Sequence, residues 1–183
     1  MVPVKQKLRW MRIGWLLKIK EEVTKQLKEG FIEPVHQAVW VANVVPVPKK
    51  DGKVRMCVDF RDLKKAWPKD DFPLPHIDVL VDNMAGSALM YFMDGFPGYN
   101  QIKMAFKDMT KTTFTTKWGI YCYIVMLFGL KNSRATYQKM ATTLLHNMMR
   151  NDMIVKSKDT RGHTTNLRKF FEKIQEYRLR LNP

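Results

Sequence analysis

The sequence predicts an α+β fold, with helices packed on an antiparallel sheet. Two hairpin signals and three amphipathic helical stretches support this, interleaved without the regular βαβ alternation that would indicate a parallel sheet. One hairpin centres on Asp51-Gly52 inside Lys49-Lys50-Asp51-Gly52-Lys53-Val54-Arg55, where Asp-Gly between two β-prone runs marks a tight turn. The other runs from Thr112 to Met126 and turns at Trp118-Gly119.

The elements follow in order. Trp15, Ile19, Val23 and Leu27 recur every four residues and Gly30 follows, predicting an amphipathic helix with a glycine stop. Phe31 to Pro34 leads out as an extended connection. Val41 to Val47 is β-branched, and Pro46 and Pro48 place its end at a sheet edge. Lys64 to Pro75 is irregular, and its adjacent Asp70 and Asp71 read as solvated. His76 to Met84 suits a short helix closed near Gly86, and Ala88 to Met93 a buried strand. After Ile102-Lys103-Met104 and the second hairpin, Lys131-Asn132-Ser133 offers an N-cap for a helix reaching Met149. Met153-Ile154-Val155 is a short β-prone run and Lys156 to His163 a polar loop. Leu167, Phe170, Phe171, Ile174 and Tyr177 mark a last amphipathic helix.

At 183 residues the chain has the length of one domain, and an apolar share of 45% can fill a core. Thirty-two basic residues against 17 acidic ones leave a net charge of +15, which opposes compaction unless an anion offsets it. Nucleic acid is the first candidate partner and an anionic membrane surface the second. No stretch approaches the about 20 apolar residues of a spanning helix, and no signal peptide opens the chain, so an intracellular setting without a membrane is expected. Cys57 and Cys122 are isolated in apolar runs and are expected as buried free thiols. His36, His76, His146 and His163 are scattered, without zinc spacing.

The chain is organised around Tyr91 to Gln101. An apolar strand ends on the carboxylate of Asp94, and Gly95, Pro97 and Gly98 force a turn at once. A carboxylate held at such a rim can cap the turn, or it can meet a metal or a phosphate. Lys49, Lys50, Lys53 and Arg55 surround the first hairpin tip, either as a solvated turn or as a finger that grips phosphate.

Several motifs then fall in one order. They are Phe31-Ile32-Glu33-Pro34, Val45 to Gly52, Arg55 to Leu63, Phe72-Pro73-Leu74-Pro75, Met93 to Ile102, Phe128 to Asn132 and Ala135-Thr136-Tyr137-Gln138. In this order the chain closely resembles the reverse transcriptase domain of Ty3/Gypsy-type retrotransposon Pol polyproteins, particularly those of plant elements, from Lys20 to Pro183. The resemblance implies a fingers-and-palm fold over residues 31–183, behind a basic segment and helix at 1–30. It implies RNA-directed DNA synthesis on a primer–template from deoxynucleotides, with two Mg²⁺ ions held by converging carboxylates. Protease, ribonuclease H and integrase domains are expected elsewhere in an intact polyprotein.

Position by position, Asp94 matches the first catalytic carboxylate, and Tyr99 the aromatic that excludes a 2′-hydroxyl. Lys49 and Arg55 match the cations on the triphosphate, and Phe128 and Gly129 the loop lining the nucleotide pocket. The family's other two carboxylates lie in a Tyr-x-Asp-Asp hairpin. Here Asp152 matches the second of them, Asn151 stands in place of the first, and no Tyr precedes them. The stretch from Gln138 to Asp152 is also shorter than the family pattern, so the catalytic hairpin near 149–152 is expected to be damaged. Asn offers Mg²⁺ a neutral carbonyl where an anionic ligand is wanted, and a misplacement of about 1 Å can cost on the order of 100-fold. Leu127 replaces a Pro, Arg134 a small residue or Pro, and Lys64 an Asn. A thumb is not expected within these residues. The expectation is a reverse transcriptase domain whose copy is inactive. The alternatives are a non-catalytic nucleic-acid-binding remnant and a poorly folded translated fragment.

Overall fold

The computed structural model describes residues 2–50, 52–72, 76, 78, 81–82, 85–92, 98–145 and 154–181. The chain divides into two compact units. The first holds residues 1–68 and 102–131, and the second residues 69–101 and 132–183.

In the first unit, helix α1 (Ile13–Lys28) forms where the four-residue spacing predicts it, and Gly30 takes φ +70° just beyond its end. Its buried side chains are Ile19 and Val23. Among the described residues five strands form the sheet: β1 (Ile32–Pro34), β2 (Ala42–Pro48), β3 (Val54–Val58), β5 (Phe114–Thr116) and β6 (Gly119–Tyr123), in the order β1-β6-β5-β2-β3. Phe31–Pro34, expected as a connection, is thus an edge strand on β6. The sheet is not purely antiparallel, because β2 pairs parallel with β5 through Ala42↔Phe114 and Asn43↔Thr115. Short helices α2 (Arg61–Ala66) and α3 (Phe106–Met109) join these elements. Phe114, Val44, Met56, Phe60, Leu63 and Tyr123 fill the core against α1, and each large apolar side chain removed from water contributes about 1.5–3 kcal/mol. Cys122 is buried as expected, but Cys57 is only half-buried, since β3 turns one side to the surface. Burial first, then Glu33 beside it, push the Cys122 thiol up to about 11.

The N-terminal arm runs beside β2 as a further extended segment. Lys5 bridges Val41, Gln6 N donates to Val41 O at 2.8 Å, and Val41 N donates to Val4 O at 3.1 Å. Buried Asn43 pins the arm. Its Nδ2 donates to Lys7 O (2.8 Å), its Oδ1 accepts from Arg9 N (3.1 Å), and its backbone N donates to Gln6 Oε1 (2.9 Å).

In the second unit, β4 (Leu89–Phe92) pairs antiparallel with β7 (Ile154–Ser157) in the register Leu89↔Ser157 to Phe92↔Ile154. Helix α4 (Ser133–Leu145) precedes β7 and α5 (Thr160–Glu176) follows it. The polar loop expected up to His163 is shorter, because Asp159 caps α5 by accepting from Gly162 N at 2.5 Å, so the helix starts at Thr160. Phe170 and Ile174 of α5 bury against Val155 of β7. His163 Nδ1 and Asn166 Nδ2 each lie 3.0 Å from the Oγ of buried Ser157, tying α5 to that strand. Of the expected helix His76–Met84, the described Asp78, Val81 and Asp82 are helical, and Gly86 has φ +77°.

Replacing Asn43 leaves the Lys7 carbonyl and the Arg9 amide without their partner. Asn43→Ala is expected to lower stability by about 1–3 kcal/mol. All five tryptophans lie in the first unit, so urea melting followed by tryptophan fluorescence reads this loss directly.

Candidate active site

The cations of the first hairpin sit on a ribbon whose geometry is set by its backbone. Lys49 N donates to Lys53 O (2.8 Å) and Gly52 N donates back to Lys49 O (3.1 Å). Gly52 takes φ +75°, a left-handed conformation that any side chain would strain. Arg55 stands opposite Val47 across the ladder. Lys49 and Arg55 line one open groove of ≈ 700 Å³ with Lys53 and with Lys18, Glu21 and Lys25 of α1. Lys18 Nζ donates to Gly52 O at 3.0 Å, so α1 braces the hairpin tip. The carboxylates of α1 share the groove, which is therefore of mixed sign.

The base of the ribbon is held by Asp59, an anchor that sequence reasoning passed over. Its side chain is 6% exposed. Arg61 meets it as a fork, with Nε on Oδ1 at 2.8 Å and NH2 on Oδ2 at 2.7 Å, and Arg9 NH2 adds a contact at 3.3 Å. The hydrogen bonds from Arg61 hold the Asp59 carboxyl below its ordinary value against the opposing effect of burial. Asp59 N also donates to Asn43 O (2.9 Å), joining this node to the buried amide. The only sequence signal was the Asp-Phe-Arg spacing itself.

Phe128 and Gly129 form a turn in the same unit. Phe128 is 82% exposed and Gly129 has φ +101°, while Leu127 before them is buried. Neither lines the groove that holds Lys49 and Arg55.

In the second unit Tyr99 lies in a 3-10 helix, Gly98–Gln101. Its ring tilts against Tyr137 of α4, with centroids 5.3 Å apart. A Cβ on Gly98 would lie 2.8 Å from Tyr137 Cε2, so this close approach requires glycine. Gln101 clasps the chain near its end: its Nε2 donates to Arg180 O (2.9 Å) and its Oε1 accepts from Arg180 N (2.6 Å). Asp70, expected to be merely solvated, instead accepts Lys139 Nζ at 2.7 and 3.0 Å. Lys139 also lies over the Phe72 ring (5.3 Å) and, as the main cause, lowers the Asp70 carboxyl below its usual range. Asn132, read as a helix cap, spends its Oδ1 on Asp70 N at 3.1 Å.

Asp94, Asn151 and Asp152 lie outside the described residues. The described ladder beside them ends at Phe92↔Ile154. Among the described residues no group of three or more His, Cys, Asp or Glu side chains is placed to hold a metal ion. No described helix is long and apolar enough to cross a membrane.

Residues 47–183 match the family described as reverse transcriptase (RNA-dependent DNA polymerase). The chain is 27% identical over 176 residues to the retrovirus-related Pol polyprotein from transposon 297 of Drosophila melanogaster, covering 90% of this chain and 17% of that protein. The prototype foamy virus protease–reverse transcriptase superposes with a TM-score of 0.85 at 22% identity, over 99% of this chain and 25% of that one. The foamy viral enzyme in complex with an RNA/DNA hybrid gives a TM-score of 0.84 at 21% identity, over 97% and 24%. The chain thus spans about a sixth of its polyprotein relative, and the structural likeness establishes the fold.

The lowered Asp59 carboxyl makes the first unit acid-sensitive. A carboxyl whose folded value is depressed stabilises fully above its unfolded value, about 3.9, and that stability is lost as pH falls below it. The urea midpoint read by tryptophan fluorescence is expected to drop between about pH 5 and pH 3, and Asp59→Asn to flatten that drop.

Proposed function

Because the chain belongs to the reverse transcriptase (RNA-dependent DNA polymerase) family, we propose that it is the fingers-and-palm part of such a domain in a Ty3/Gypsy-type, plant-like retrotransposon Pol polyprotein, in a copy that does not polymerise. In this reading the first unit supplies the fingers and the second the palm. Primer–template and deoxynucleotides are its ligands, with protease, ribonuclease H and integrase as its companions in the polyprotein.

One observation carries the reading of the site, the register of β4 on β7. Phe92 faces Ile154 at the described end of this antiparallel ladder, two residues before Asp94 in the one segment and two after Asp152 in the other. Asp94 and Asp152 are the two carboxylates that match the family's metal ligands. When bound, a pair of Mg²⁺ ions supplies the clamp on the attacking and leaving oxygens of phosphoryl transfer. The donor set of this chain fits that pair poorly. Two carboxylates and the neutral amide oxygen of Asn151 carry less anionic charge than the family's three carboxylates. A site short of one anion holds two divalent cations weakly, which is the physical basis for reading this copy as inactive.

The described placements of Lys49, Arg55 and Tyr99 support their assignments, while Phe128 and Gly129 lie outside the groove of the two cations. Lys49 and Arg55 share one groove and offer cations to a triphosphate. Tyr99 packs against Tyr137, which approaches the chain closely at Gly98, and a packed ring suits a group that bars a 2′-hydroxyl. Phe128 and Gly129 present an exposed ring on a turn backed by buried Leu127. The second reading, a non-catalytic nucleic-acid-binding domain, draws on the same charge of +15 and on Asn151.

Primer extension on an RNA template with Mg²⁺ or Mn²⁺ tests the proposal. No template-dependent synthesis is expected, while the primer–template duplex still binds and its affinity falls steeply as salt rises. Synthesis that Asp94→Ala abolishes would overturn the assignment of this copy as inactive. Absent or salt-insensitive duplex binding would overturn the nucleic-acid reading.

A further inference from the structure

Gln101 belongs to the Met93 to Ile102 motif but has no part in the chemistry assigned so far. Its side-chain amide meets the backbone of a single residue twice. Nε2 donates to Arg180 O at 2.9 Å, and Oε1 accepts from Arg180 N at 2.6 Å. An amide carries a donor and an acceptor side by side, as a peptide group does, so Gln101 takes the place of a neighbouring strand. An ionised glutamate lacks the donor and a lysine lacks the acceptor. Two bonds to one residue also fix direction, where a single bond is free to pivot.

The partner of this clasp is itself held. Leu179 N donates back to Ile174 O at 2.9 Å, and Arg178 takes φ +51°, a left-handed conformation that costs a residue with a side chain. The turn sends Leu179 and Leu181 back against the cluster of Val155, Phe170 and Ile174. Val155 belongs to β7 and stands opposite Tyr91 of β4. The cluster that backs the β4–β7 ladder thus also holds the segment around Arg180.

Tyr99 lies two residues before Gln101 in the 3-10 helix Gly98–Gln101. Its ring meets Tyr137 of α4 at an interplanar angle of 53°. A 3-10 helix of this length has poor hydrogen bonds of its own, so its place depends on what its side chains grip. Tyr137 steadies the ring, and Gln101 ties the backbone that carries the ring to the cluster behind the ladder.

We propose that Gln101 is a positioning residue for sugar discrimination, one that sets how far the Tyr99 ring stands from the β4–β7 ladder. This role rests on the reading of Tyr99 as the ring that bars a 2′-hydroxyl. Ribose and deoxyribose differ there by one oxygen atom, so a small displacement of the ring changes which of them fits.

The test is isothermal titration calorimetry of the full chain with the Mg²⁺ complexes of dTTP, UTP and inorganic tripolyphosphate. The wild type is expected to prefer dTTP to UTP, and Tyr99→Ala to lose that preference. Gln101→Met keeps the length of the side chain and removes both bonds. It is expected to cut the preference about tenfold with tripolyphosphate affinity unchanged. Added to Tyr99→Ala, it is expected to change nothing further, because it acts through the ring. Gln101→Glu keeps the acceptor for Arg180 N, is expected to fall between, and carries the same comparison if Gln101→Met melts below the working temperature. A tie that served only the fold would lower the melting temperature and leave the ratio of dTTP to UTP affinity alone. An unchanged ratio in the Gln101 variants, with the preference lost in Tyr99→Ala, would overturn the proposal and leave the reading of Tyr99 in place. A preference that survives Tyr99→Ala, or a wild type without one, would overturn that reading and the role of Gln101 with it.

Discussion

Pro46 and Pro48 remove two N–H groups from β2, and both belong to the same side of the strand. Odd-numbered positions of β2 face β3: Lys49 N reaches Lys53 O and Asn43 O receives Asp59 N. Even-numbered positions face β5, as Ala42 N does when it donates to Thr113 O. Past Val44, Pro46 and Pro48 leave that second side without the donors a neighbour would need. The parallel contact with β5 stops after two residues, and β2 with β3 leaves the sheet as a two-stranded ribbon. The cations at its tip owe their projection to this loss of donors. The brace from Lys18 and the anchor at Asp59 then keep the ribbon from swinging.

The second unit solves a different problem with less material. Its two-stranded ladder, too short to stand alone in water, is covered by α5 through Phe170 and Ile174 and fastened at Ser157. The strand pair that leads toward Asp94 and Asp152 is thus held from behind by a helix and not by further strands among the described residues.

Much of this was legible in the residues. The spacing of Ile19 and Val23, the hairpin of β2 and β3 and the apolar run Ala88–Met93 each depend on local chemistry; the helix and the hairpin formed where expected, and within the run Leu89–Phe92 is a strand. The parallel contact of β2 with β5 was not legible, because it joins segments about 70 residues apart and leaves no local periodicity. The arm beside β2 escaped for a related reason. Its order comes from one buried amide, Asn43, and nothing near Lys5 or Arg9 announces that partner. Asp70 was misread because a carboxylate in a proline-bounded loop looks solvated until Lys139, far along the chain, is found beside it. At the candidate site, motif order proposes roles for Lys49, Arg55, Tyr99, Phe128 and Gly129, but it could not reveal Tyr137 beside Tyr99.

The prolines also bear on how the chain behaves in a crowded cell. An exposed strand edge is a template on which another chain can add a strand and begin to aggregate. On β1, the other end of the same sheet, odd positions again face inward: Val35 N donates to Ile120 O and Phe31 O accepts from Ile124 N. Pro34 therefore deletes an outward donor, just as Pro46 and Pro48 do on the ribbon. Two stretches of bare backbone are made poor seeds for fibre growth by residues that cost their own sheet no hydrogen bond. Pro34→Ala or Pro46→Ala would leave the native pairing in place and restore a donor on the side open to solvent.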